Sequence, residues 1–420
     1  MNDRATGRAH WQDLTAERGP SAELGAQAVG ERRFWRWTAV GLGAIAFGKG
    51  IREPNAWSYT QAQLDYSVGF MRRGLFGAAL RHPLGLNLYG HFAVVSTALL
   101  LLLFAVLALL ACRSKLAERT PPGELLAVYA SSYSVTYLAH LNGYLDIPLA
   151  LLCIGPLFVR STGWRLGAAA VATVVGILIH EQFFFAFLPV LVVSVAFGAA
   201  TGKTAPERKL AWTGAVLLAV LGVGMTWTMG RHAAISEAQT AQLARTIART
   251  ADRPLNAEVL KVLPRSLHEN LEIMQTVWRR RTFIPAQVES LLMFLPTAGV
   301  LSWATLLLLR RWMPGKHRWL YAGVVLATLA PLSLHLMGWD KNRWNELLCL
   351  NAFLMLLSVS RLLGGEAVQL PVRLRRACVV AMLLNMATGG GMLDGRQIRP
   401  FPFMRSPDAA SGLISQRMVP

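Results

Sequence analysis

The chain has 420 residues, of which 54% are hydrophobic and only 15% charged, a balance too apolar for a soluble chain of this size. Its formal charge of +19 would suggest nucleic acid in a soluble protein, but much of it sits in short loops between apolar runs, where basic groups orient membrane segments. The four cysteines, Cys112, Cys153, Cys349 and Cys378, all lie in or beside apolar runs with no disulfide-framework or zinc spacing, which excludes redox chemistry as the function.

Residues 1–33 are polar and of mixed sign, with no signal-peptide core before Phe34. They predict a cytoplasmic tail followed by a retained signal-anchor. Apolar runs then fall at 34–51, 91–112, 125–140, 145–159, 166–180, 182–200, 210–230, 287–310, 319–337, 346–360 and 377–392. The fold class they predict is all-α: a polytopic integral membrane helix bundle over 34–392, with about 11 transmembrane helices in a range of about 10–12. The stretch 166–200 is interrupted only by His180, Glu181 and Gln182. As one helix it would measure roughly 50 Å, well beyond the hydrocarbon thickness, so it is read as two spans meeting at an outer turn.

The loops alternate in character. Arg32, Arg33 and Arg36 precede the first span, and short basic loops carry Arg113, Lys115 and Arg119; Arg160 and Arg165; Lys203, Arg208 and Lys209; Arg310, Arg311, Lys316 and Arg318; and Arg361, Arg373, Arg375 and Arg376. The positive-inside rule puts this set in the cytoplasm. The loops 52–90 and 231–286, the turns 141–146, 180–182 and 338–346, and the tail 393–420 must then face outward. Both large outer loops are expected to hold amphipathic helices. In the second, Leu260, Leu263, Leu267, Leu271, Met274 and Trp278 step by three or four along one helical face, with Pro264 kinking or dividing it.

A charge close to hydrocarbon is costly and marks a site. The first outer loop reads Leu64-Asp65-Tyr66-Ser67-Val68-Gly69-Phe70-Met71-Arg72-Arg73-Gly74-Leu75-Phe76-Gly77. On a helix, two turns place Asp65 and Arg72 on one face. The pair either pins an interfacial helix, or the arginine fork holds a phosphate while the carboxylate takes a proton or a divalent cation such as Mg or Mn. Asp146 follows Asn142-Gly143-Tyr144-Leu145 and is either a helix cap or a site acid. His180 and Glu181 are either polar helix ends or, where the chain turns, partners for one ligand. In Gly338-Trp339-Asp340-Lys341-Asn342-Arg343-Trp344-Asn345-Glu346, Asp340 and Arg343 stand at i,i+3 spacing, with His335 one turn inside. They are either an interfacial belt or an acid beside an anion binder. Arg279, Arg280 and Arg281 lie outside, against the usual bias, where headgroups or a phosphate-rich ligand would account for them. Gly198-Ala199-Ala200-Thr201-Gly202-Lys203-Thr204 misses a phosphate-binding loop by one residue of spacing.

The layout resembles the glycosyltransferase C superfamily, in its many spans, an acid in the first outer loop and further polar groups converging outside. The resemblance implies transfer of a sugar from a polyprenyl-phosphate-linked donor to a glycan or lipid acceptor at the outer face of a bacterial inner membrane, often with metal assistance. By position, Asp65 takes the place of the acid, with His180 and Glu181 as further catalytic candidates. Arg72, Arg73 and Arg343 would hold the donor phosphate, while Asp146, Asp340, Arg279 and Arg280 are further site candidates. Such a protein has membrane lipid as a partner and no nucleic acid. The alternatives are an exopolysaccharide or O-antigen polymerase with the same donor chemistry, and, in another class, a transporter or lipid-linked glycan flippase, which would show inverted repeats and mid-bilayer charges.

Overall fold

The computed structural model describes residues 20–313, 318–338 and 340–388, with 20–28 and 267 as backbone only. The first part of the polar N-terminal tail, Lys316, Trp339 and the whole of the expected outer tail 393–420 lie outside the described residues. Every described element is helical. The first half of the chain forms α1 (Pro20–Gly50), α2 (Ala56–Gln63), α3 (Leu75–Leu80), α4 (Tyr89–Ser114), α5 (Leu116–Arg119), α6 (Glu124–Ala130), α7 (Tyr133–His140), α8 (Asp146–Leu157) and α9 (Thr162–Ile179). It continues through α10 (Gln182–Ala186), α11 (Leu188–Thr201), α12 (Ala205–His232), α13 (Glu237–Ala248), α14 (Ala257–Val262) and α15 (Leu267–Trp278). The last part holds α16 (Phe283–Trp312), α17 (Arg318–Leu329) with a 3-10 turn at Ala330–Leu336, α18 (Lys341–Ser358) with a π turn at Val359–Leu363, and α19 (Val372–Ala387).

Among the described residues, 6 helical segments are long and apolar enough to cross a membrane: Tyr89–Arg119, Thr162–Ile179, Ala205–His232, Phe283–Trp312, Arg318–Leu336 and Lys341–Leu363. The chain is therefore built as a helical membrane protein. The first expected span lies in the long, continuous α1, which is less apolar than these six, and the other expected spans are helical but shorter or interrupted. The run 125–140 breaks between α6 and α7, where the Ser132 hydroxyl caps α7 by accepting from the Val135 amide. The run 182–200 divides at Phe187, ahead of Pro189, and the run 145–159 is helical only over the 12 residues of α8. The first helix starts well before Phe34, inside the polar segment.

Burial sorts these helices into centre and periphery. From Arg343 to Ser358 every residue of α18 is buried, as expected of a helix enclosed by others. The peripheral α4 and α12 leave Val94, Leu101, Leu102, Val216, Leu217 and Val220 exposed, apolar faces suited to lipid. Close approach is built into some contacts. A Cβ on Gly50, at the end of α1, would fall 1.9 Å from the Thr136 carbonyl of α7, so only glycine fits there.

The two large loops fold on each other at one end of the bundle. Leu64 and Met71 of the first pack with Ile235, Leu243, Ile247, Val259 and Leu263 of the second in one apolar cluster. Asp252 accepts from the Tyr89 amide at 2.8 Å, and the Thr60 hydroxyl accepts from the Asn256 amide at 2.7 Å. The amphipathic stretch 260–278 is divided as Pro264 requires: α14 ends before it and α15 opens on a Ser266–Glu269 capping box. Bonds from this cap reach the turns at 180–182 and 335–338, so the expected outer segments share one end. The basic loops gather at the other: Arg361 bonds the Leu157, Phe158 and Arg113 carbonyls, and the Val368 amide bonds the Arg119 carbonyl.

Ala238 of α13 and Ala205 of α12 are both exposed and occupy opposite ends. In a chain carrying Cys112→Ala, Ala238→Cys and Ala205→Cys should react with an impermeant thiol reagent from opposite sides of a sealed membrane. Reaction of both from the same side would break this arrangement.

Candidate functional site

The first outer loop is not helical where Asp65 and Arg72 stand. After α2 ends at Gln63, Gly69 takes φ 125° and Arg73 takes φ 64°, left-handed values that no helix contains. The expected Asp65–Arg72 face is therefore absent. Asp65 is buried in an ion pair with Arg81 at 2.5 Å and accepts from the Ser67 amide at 3.0 Å, while Arg81 also donates to the Gln63 carbonyl. Arg72 turns to the other loop, donating to the Leu263 carbonyl at 3.0 Å and to that of Arg265. Both residues thus hold the cap together.

Arg73 points the other way, into the bundle. Its guanidinium grips both carboxylate oxygens of Glu181: Nε at 3.1 and 3.2 Å, Nη2 at 2.5 Å, the planar fork that arginine forms with carboxylates and phosphates. A left-handed backbone at a non-glycine residue costs of order 1 kcal/mol or more and gathers at functional sites. The next residue must be bare, since a Cβ on Gly74 would lie 2.6 Å from the Tyr66 ring.

His180 and Glu181 occupy the turn between α9 and α10, as the length of 166–200 demanded. The His180 Nδ1 accepts the Gln182 amide at 3.1 Å, which leaves the ring proton on Nε2. Burial, then the charge of Arg73, holds the imidazole well below its usual range, so it is neutral at physiological pH. For Glu181, burial alone would raise the carboxyl, but the Arg73 guanidinium holds it well below the usual carboxylate range.

Beside this pair lies a second one. Asp146, at 0% exposure, receives the Arg343 Nε at 2.7 Å on one oxygen and the Gln182 amide group at 2.5 Å on the other. The Arg343 guanidinium lies 5.3 Å from the Tyr144 ring centre and 5.1 Å from that of Trp344. Asp340 immediately precedes α18, three positions before Arg343. The segments converge: Gln182, next to Glu181, bonds the Asp146 that pairs with Arg343, and Glu181 pairs with Arg73. Asp65 stays apart with Arg81, and Arg279 and Arg280 are exposed at the turn between α15 and α16, with no contact to the cluster among the described residues.

Sequence reasoning passed over Arg81, Gln182 and Glu346 as site residues. The Glu346 carboxylate is fully buried in α18; the Ser134 hydroxyl donates to one oxygen at 3.0 Å and the other has no partner among the described residues. An acid at the head of an apolar run was the available signal. Arg81 had none, because its pairing depends on how the loop turns back. Among the described residues no three His, Cys, Asp or Glu side chains stand close enough to hold a metal ion, and Glu181 and Asp146 already face arginines. No family model, no curated protein and no solved structure matches this chain.

Removing Asp65 strands a buried guanidinium, so Asp65→Ala should destabilise the protein by about 3–5 kcal/mol, whereas the exposed Arg279→Ala should stay within about 0.5 kcal/mol; melting in detergent separates the two. A second expectation concerns acid. Because its folded pKa is depressed, Glu181 contributes stability that is complete above its unfolded value of about 4.3 and is lost as pH falls through the lower folded value. Arg73→Gln removes the principal cation, so acid unfolding, followed by intrinsic tryptophan fluorescence, should begin at higher pH. An unshifted acid profile would mean that the ion pair contributes nothing.

Proposed function

We propose that this chain is an integral membrane glycosyltransferase-like enzyme of cell-envelope or exopolysaccharide biosynthesis. It crosses the bacterial inner membrane about 11 times, with the basic loops and N-terminus in the cytoplasm. Its donor is a polyprenyl-phosphate-linked sugar, since an outer active site has no access to cytoplasmic nucleotide sugars, and its acceptor is a glycan or lipid hydroxyl. The observation that carries the reading is the Arg73–Glu181 fork, beside neutral His180 and within reach of Arg343, where the cap of outer loops meets the helix bundle.

The chemistry assigns Glu181, rather than Asp65, as the base. In the resting state Arg73 holds its carboxylate too acidic to accept a proton. A donor phosphate competes for the same fork, neutralises Arg73 and restores the basicity of Glu181. The acceptor hydroxyl then gives its proton to Glu181 while its oxygen bonds to the anomeric carbon. The bond from that carbon to the phosphate oxygen breaks, and its electron pair leaves with the polyprenyl phosphate, stabilised by Arg73 and Arg343. Asp65 keeps the loop in shape through Arg81. The enclosed Asp146–Arg343 pair and buried Glu346 support a second reading, a transporter or flippase, because ionisable groups inside a bundle also mark transport paths.

Purified protein supplied with polyprenyl-phosphate-linked sugars distinguishes the readings. Glu181→Gln should lower the transfer rate by about 10²–10⁴-fold, and Arg73→Lys, which keeps the charge but loses the fork, should weaken donor binding. Full activity in Glu181→Gln would refute the base. A wild-type protein that moves lipid-linked sugars between leaflets, yet transfers none of them, would establish the flippase instead.

A further inference from the structure

Three consecutive arginines stand at the cap end of the bundle, away from the basic loops. Arg279, Arg280 and Arg281 fill the turn between α15 and α16, and all three are exposed. None of the described carboxylates pairs with them: Glu258 faces Lys261 at 2.7 Å and Glu272 faces His268 at 3.2 Å. Glu289 is the next exposed acid along α16, so three cations face one acid there. The turn is held from behind. The Trp278 indole donates to the His335 carbonyl at 3.2 Å, and its ring packs on Phe283 with centres 5.1 Å apart. Below the arginines, Ile284, Val288, Leu292 and Leu295 are 47–60% exposed, and their spacing of three or four sets them along one face of α16. Arg281 and Arg280 precede Ile284 by three and four residues, so the charged turn heads this apolar stripe. The helix that carries it is of membrane-spanning length.

An occupant of this surface must bring an anion to the turn and an apolar chain to the stripe. A zwitterionic headgroup brings its own cation into a turn that already holds three, whereas a net negative headgroup does not. We infer that the α15–α16 turn is a docking site for an anionic phospholipid. Its phosphate lies among the guanidinium groups of Arg279, Arg280 and Arg281, whose planar forks suit phosphate oxygens. An acyl chain runs along Ile284, Val288 and Leu292. Trp278 beside the turn fits headgroup depth, where amphipathic indoles gather. The three arginines stand clear of the Arg73–Glu181 and Asp146–Arg343 pairs, so a phosphate bound here is out of reach of acid–base chemistry at those groups. The site therefore holds a lipid that is not a reactant, and it does not depend on the reaction proposed above.

Photo-crosslinking of the full-length protein tests the site, using phosphatidylglycerol with a diazirine on its acyl chain and peptide mapping of the label. Label should appear on α16 between Ile284 and Leu295, and unlabelled phosphatidylglycerol should displace it far better than phosphatidylcholine of equal chain length. An arginine beside an anionic lipid surface is worth about fivefold in affinity. Arg280→Gln should therefore weaken labelling by about fivefold, and Arg279→Gln/Arg280→Gln/Arg281→Gln by tenfold or more on the same scale. Arg310→Gln/Arg311→Gln, exposed at the other end of α16, should leave this label unchanged. Equal displacement by both phospholipids, or full labelling of the triple variant, would overturn the assignment. So would displacement by a polyprenyl monophosphate at concentrations where phosphatidylglycerol has no effect, which would give the turn to a carrier lipid instead. If the triple variant fails to fold, the single changes carry the same comparison.

Discussion

Asp146 and Arg343 are full charges withdrawn from water at the head of the most enclosed helix, and each is tolerable only in the company of the other. Neither could be buried alone without a penalty of several kcal/mol. Their contact therefore constrains whatever carries them: the start of α8, the start of α18 and, through the Gln182 amide group, the turn that opens α10. Once those helix ends are joined, the turn at 180–182 has little freedom. Glu181 and His180 are then presented on the same side as the cap. The candidate site is in this sense a consequence of a buried ion pair that lies beneath it.

The neighbouring arginines of the first outer loop divide the remaining work. Among the described residues Arg72 donates to backbone carbonyls of the second loop, a contact that ties one loop to the other. Arg73 reaches instead across to Glu181 of the bundle. The backbone at Arg73 is left-handed, and that strain is tolerated because partners on both sides fix the outcome. A ligand that takes the fork from Glu181 changes the charge balance at the seam between cap and bundle.

The opposite end follows a different logic. Arg361 and Arg165 spend their donors on the carbonyls that close α8 and its neighbours, where helix-end dipoles favour cations. These arginines stabilise helix ends and need no acid. Glu124 differs from them: it is a buried carboxylate with one oxygen accepting from Arg375 and the other without a hydrogen-bond partner among the described residues.

The sequence by itself determined that the chain is helical and membrane-like, because burying backbone polar groups in an apolar medium leaves few solutions and run lengths show where they lie. It also determined the turn at His180–Glu181 and the division of basic from mixed loops between the two ends, since both follow from length and charge along the chain. Tertiary structure decided the pairings. Asp65 seven residues before Arg72 looked like one face of a helix, but the turns at Gly69 and Arg73 sent the acid to Arg81 and the arginine to the second loop. Likewise nothing local joins Asp146 to Arg343, almost two hundred positions later, or Arg73 to Glu181. Which charge meets which is set by helix packing and loop closure over long separations, and spacing along the chain does not carry that information.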